Sequence, residues 1–119
     1  MMLKLSANQI DAIRNSELRA KLAEHMKSNQ HLIQPLSELD QDSFDCLSDA
    51  CIDVLGNQAP AIEEFHAEQD LGRYPVGIRG VPGAYFVFSA DRDDLGVFSD
   101  LEEARSVLLL YYGEFIVAD

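Results

Sequence analysis

Residues 74 to 89, Tyr-Pro-Val-Gly-Ile-Arg-Gly-Val-Pro-Gly-Ala-Tyr-Phe-Val-Phe-Ser, decide how this chain folds. Two apolar runs rich in β-branched and aromatic residues, Tyr74 to Arg79 and Ala84 to Ser89, flank Gly80-Val81-Pro82-Gly83. Proline presets φ at the first central position of a type II turn, and glycine tolerates the positive φ demanded at the second. Pro82 and Gly83 therefore predict a β-hairpin. Within it, Tyr85-Phe86-Val87-Phe88 is apolar at odd and even positions alike, the pattern of a strand covered on both faces.

Beyond the hairpin, a short third strand is expected around Gly96 to Phe98. It leads into Ser99-Asp100-Leu101-Glu102, which has capping-box spacing, and then into a helix over 100–112 that stops before Gly113. Leu101, Ala104, Leu108 and Tyr111 or Tyr112 can face the sheet. Phe115-Ile116-Val117 could supply a fourth strand, and the sequence leaves that open.

Ahead of the hairpin the periodicity becomes helical. Ser6 and Gln9 have capping-box spacing, and Leu5 with Ile10 forms a hydrophobic staple. Ile10 and Ile13 share one face, whereas Leu18, Leu22 and Met26 form a stripe on another, so the helical region 7–27 should break near residue 15. Residues 28–37 read as a connection. Phe44, Leu47, Cys51, Val54 and Leu55 then mark the buried stripe of a helix over 41–55, stopped by Gly56-Asn57. Pro60, placed as a first helical residue, predicts another helix over 60–70 with Ile62 and Phe65 inward and Glu63, Glu64 and Glu68 outward. The expectation is an α+β fold, one domain over 1–119. A chain of 119 residues buries roughly two-thirds of its unfolded surface, enough for a core without staples.

The net charge of −12 is concentrated in one third of the chain. Residues 1–37 carry five basic side chains against three acids, residues 38–72 carry ten acids and no Lys or Arg, and residues 73–119 carry four arginines against eight acids. Neutralising nucleic-acid phosphates needs the opposite sign, which argues against that ligand class. No apolar run reaches the 18 or more residues of a membrane span or has signal-peptide form, so a cytoplasmic protein without membrane partners is expected. Cys46 and Cys51 lie about 140° apart on a helix, too divergent to bridge, and lack metal-ligand spacing. Both are expected reduced, with Cys51 in the core.

Asp42, Asp45, Asp49 and Asp53 recur at spacings of 3, 4 and 4, placing four carboxylates in one row on the central helix. A solvated face tolerates the row, because each like-charge pair costs only about 0.2–0.5 kcal/mol. Asp49 and Asp53 nevertheless stand toward the helix end that disfavours anions, with no basic residue in the segment to pair with. A partner supplying positive charge accounts for the arrangement.

Asp91 to Glu102 matches a twelve-residue calcium loop in part. Asp91 and Asp93 occupy the first and third ligand positions, Gly96 the turn and Glu102 the bidentate position, but Leu95 replaces an oxygen ligand and a strand precedes the loop where a helix is required. Metal is therefore not favoured there. His25, His31 and His66 lack helical metal-pair spacing and read as surface residues. No nucleophile elbow, phosphate loop or dinucleotide fingerprint occurs. Neither a cofactor nor an enzymatic activity is expected.

Met2-Leu3-Lys4-Leu5, Gln9 and the helix through His25-Met26 resemble the start of small bacterial proteins encoded beside secreted effectors, including type VI secretion accessory and immunity proteins. The resemblance covers the first quarter of the chain. It implies a cytoplasmic inhibitor that occupies a toxin's active site, and no functional residue carries over from it. Gly96 to Ala104 is similar to a strand-to-helix junction found in many unrelated domains, which concerns local structure alone.

The sequence thus leads to an expected immunity-type or inhibitory protein docking on a basic protein surface through Asp42, Asp45, Asp49, Asp53, Glu63, Glu64 and Glu68. The alternative is a secretion adaptor, chaperone or homodimeric protein using apolar surface of the hairpin and last helix, around Tyr85, Phe88 and Tyr112.

Overall fold

The computed structural model describes residues 4–26, 29–70, 72–89 and 95–117. It is an α+β fold in which a five-stranded antiparallel sheet separates two helical layers. The first helix, α1 (Ala7–Arg14), starts with the expected box: the Ser6 hydroxyl accepts from Gln9 N–H, and the Gln9 side chain accepts from Ser6 N–H at 2.8 Å. The expected break follows at Asn15. Ser16 organises it, its hydroxyl donating to the Ile13 carbonyl at 2.9 Å and accepting from Leu18 N–H at 3.0 Å. The second segment is α2 (Arg19–His25).

The connection that follows is not plain loop. It contains a one-turn helix, α3 (Gln30–Ile33), and a 3-10 turn at Leu36–Glu38. Arg14 fixes this stretch, donating to the carbonyls of Leu32 at 3.0 Å and Gln34 at 2.8 Å. Those carbonyls close α3 and lack partners within so short a helix.

Helix α4 (Gln41–Gln58) begins at Asp40, whose side chain accepts from Ser43 N–H at 2.7 Å. It continues past Gly56-Asn57, where the sequence predicts a stop. A Cβ at Gly56 would stand 3.6 Å from the Phe86 ring, ordinary contact, and the Gly56 carbonyl accepts from Arg79 at 3.0 Å, so this turn of the helix is held by its packing on the sheet. Pro60 ends the helix by forcing Ala59 into extended backbone.

The helix predicted over 60–70 is a strand, β1 (Ala61–Gln69). Its residues are good helix formers, but β1 pairs along its length with β2 (Gly72–Val81). Tertiary pairing overrides local propensity here, with Phe65 and Ala67 alternating toward one side of the sheet. The expected hairpin is β2 with β3 (Ala84–Ser89), closed by Pro82-Gly83 with φ +93° at Gly83. A Cβ on Gly77 would collide with the Glu63 carbonyl oxygen and stand 3.0 Å from the Phe88 ring, so β1 and β2 meet closely only through glycine. Arg79 covers that ring at 4.5 Å from its centroid.

The short strand β4 (Val97–Phe98) pairs with β3. The tail forms β5 (Ile116–Val117), which pairs with His66 and Ala67 of β1, so the expected three-stranded sheet has five strands in the order β4-β3-β2-β1-β5. Helix α5 (Leu101–Tyr112) starts one residue later than the capping-box reading places it. Asp100 is the cap, accepting from Glu102 N–H at 3.1 Å, while Glu102 turns to Arg105.

The sheet divides the core in two. Ile10, Ile13, Leu22, Leu47, Val54 and Phe86 fill the side of α1, α2 and α4, and Ala67, Val76, Ile78, Val87, Leu108 and Tyr112 fill the side of α5. Phe86 and Val87 are consecutive in β3 and enter opposite clusters, which explains the run apolar on both faces.

Candidate functional site

The stripe of Leu47, Cys51, Val54 and Leu55 anchors α4 in the core and turns its opposite side to solvent. Asp42, Asp45, Asp49 and Asp53 all lie exposed on that outer side. Asp45 accepts from the Gln41 amide at 2.8 Å, and Asp53 lies 3.4 Å from His25 Nε2 on α2. Among the described residues, none of the four pairs with Lys or Arg. At the helix start, the Ser43 hydroxyl and backbone N–H hold the Asp40 carboxyl below its ordinary value.

Beside the row is a cleft of about 450 Å³, formed where α2 and α3 meet α4. His25 and Met26 line it from the end of α2, His31 from α3, and Cys46, Asp49, Ala50 and Asp53 from α4. The sequence reading missed this cleft, because its two histidines come from segments that meet α4 only in the folded chain. Cys46 could have been found, since it follows Asp42 by one turn and precedes Asp49 by three residues on the same face. His25 is exposed as expected, but His31 and His66 are half-buried, and His31 Nδ1 is enclosed without a hydrogen-bond partner.

The glutamates expected beside the aspartate row belong to β1, and alternation divides them. Glu63 turns toward α5, where Arg105 donates to it at 2.7 Å through Nε and approaches at 2.6 Å through Nη2. Glu63 and Glu102 together hold the guanidinium of Arg105 above its ordinary pKa. Glu63 is thus neutralised within the fold and leaves the acidic face. Glu64 and Glu68 point the other way and are exposed.

No family model, curated protein or solved structure matches this chain. What the site can do is therefore read from its chemistry. Cys46 and Cys51 are free, the first exposed and the second buried, and burial pushes the Cys51 thiol up to about 12. Among the described residues, no group of three or more His, Cys, Asp or Glu is placed to hold a metal ion. Of the partial calcium loop, Asp91 and Asp93 lie outside the described residues, Leu95 is buried in the α5-side core, and Glu102 is engaged by Arg105. Among the described residues, no helix is long and apolar enough to cross a membrane.

The apolar surface also differs from the expected one. Tyr112 is buried, and Tyr85 and Phe88 are half-buried. Leu109, Leu110 and Tyr111 form the exposed apolar edge of α5, with Leu110 at 79% exposure.

Proposed function

We propose that this chain is an acidic, immunity-type or inhibitory protein of the cytoplasm, which lays the outer face of α4 against a basic surface of a partner protein and occludes it. The observation that carries the reading is the exposed row Asp42, Asp45, Asp49 and Asp53, unpaired with Lys or Arg among the described residues. Repulsion along the row costs about 1 kcal/mol in total, tolerable for a domain but returning nothing to the isolated fold. A basic partner converts that cost into faster encounter and complementary contact. Glu64 and Glu68 extend the negative field without joining the row, and Glu63 contributes nothing to it. The activity proposed is binding without catalysis, with no cofactor and no nucleic acid.

The test is a pull-down at low and high salt against the protein encoded beside this one, using wild type and a variant with Asp45, Asp49 and Asp53 all changed to Lys. Salt-sensitive capture abolished by the reversal is expected. Capture that survives the reversal overturns the acidic-face reading. The exposed Leu109, Leu110 and Tyr111 favour a second reading, an adaptor or homodimer built on α5. Association through that face would be indifferent to salt and lost in Leu110→Asp.

A further inference from the structure

We infer that the cleft between α2, α3 and α4 is a socket for one arginine side chain presented by the basic partner, an inference that rests on the acidic-face reading and gives it a focal point. Asp49 and Asp53 stand one helical turn apart on one wall, the separation at which neighbouring side chains converge on a common ligand. Among the described residues, no Lys or Arg pairs with either carboxylate, and the nearest ring nitrogen recorded is His25 Nε2, 3.4 Å from Asp53. That is well beyond the ~2.7–2.9 Å of a charge-assisted hydrogen bond. The carboxylates are therefore under-used by the fold.

Met26 and Ala50 supply apolar wall between these polar groups. Such a lining suits an aliphatic stem that ends in a planar group with several donors, which describes arginine better than lysine. Two carboxylates repel an anion, and the absence of a three-ligand group among the described residues argues against a coordinated metal. The volume of about 450 Å³ lies within the range of pockets that enclose small groups.

The test is an amide NMR titration of the whole chain at low salt with an end-blocked Gly-Arg-Gly peptide. A Gly-citrulline-Gly peptide of the same shape but without charge is the control, and a deca-arginine peptide probes the acidic face as a whole. Saturable shifts at His25, Cys46, Asp49 and Asp53 with the arginine peptide, absent with citrulline, are expected. The double variant Asp49→Asn, Asp53→Asn should weaken binding by about a hundredfold, roughly tenfold for each charge-assisted hydrogen bond lost. Cys46→Phe, which fills the cleft from an exposed position, should abolish the shifts while the rest of the spectrum stays unchanged. Equal response to citrulline overturns the socket. Deca-arginine shifting Asp42 and Asp45 but not the cleft overturns the socket and leaves the acidic face standing. No shift with any basic peptide overturns both.

Discussion

The Gln9 side-chain amide donates to the Val97 carbonyl at 3.0 Å across 88 residues of sequence, while its oxygen accepts from Ser6 N–H at 2.8 Å. One side chain thereby caps α1 and fastens it to β4 at the edge of the sheet. With Gln9 only 6% exposed, Gln9→Leu leaves Ser6 N–H and the Val97 carbonyl without this partner. A loss of about 1–3 kcal/mol is expected from urea denaturation. Gln9→Glu retains an acceptor for Ser6 but sets a carboxylate against the Val97 carbonyl, and should be no more stable than Gln9→Leu.

The two cysteines should separate cleanly by reactivity. Under native conditions a thiol reagent should titrate Cys46 at once and reach Cys51 only on unfolding. Because burial raises the Cys51 thiol from 9.0 to about 12, the folded state favours its neutral form. That contribution is complete below pH 9 and is lost as pH rises toward 12. Cys51→Ala should remove this part of the alkaline destabilisation, at a cavity cost visible at neutral pH. Rapid labelling of two thiols per native chain would contradict the buried position.

Asp40 gives the opposite pH dependence. Its folded pKa lies below its ordinary 3.8, held there by the Ser43 hydroxyl and backbone N–H. Its stabilising effect is therefore present above pH 3.8 and is lost as pH falls through the lower folded value. Asp40→Asn keeps a cap without the charge and should flatten this acid limb in thermal melts, whereas Asp40→Ala should lower the melting temperature across the pH range.

Glu63 and Glu64 are neighbours in sequence with opposite expected phenotypes. Glu63→Gln and Arg105→Met should each lower the denaturation midpoint, the second more because it leaves the half-buried Glu63 carboxylate without its partner. Glu64→Gln, on the exposed face, should stay within about 0.5 kcal/mol of wild type. Equal effects would show that alternation along β1 does not sort the two.

The hairpin, the Ser6 cap, the break after Arg14 and the final helix were legible because each is written in local chemistry: Pro82-Gly83, a hydroxyl followed by an amide acceptor, a phase jump between Ile13 and Leu18. The strand at 61–69 was not legible, since Ala, Glu and Gln favour helix and the opposing pairing comes from β2. The aspartate row could be read because it lies within one helix. The cleft beside it could not, because His25 and His31 meet α4 only through tertiary packing. Glu63 was misassigned for the same reason: the residue that removes its charge from the surface, Arg105, lies 42 positions away.

The two-residue tail strand has a consequence for how copies of the chain behave at high concentration. Among the described residues, β5 pairs with His66 and Ala67 of β1 and the Phe115 carbonyl accepts from Glu68 N–H at 2.8 Å, whereas Ala61 to Glu64 have no described strand along that rim of the sheet. Ile62 is 39% exposed there, the kind of rim that invites strand addition by a neighbouring molecule. Glu64 stands beside it, and any two copies aligning their rims must bring like charges together. A charge at this position opposes such edge-to-edge addition, as charged side chains on sheet rims do.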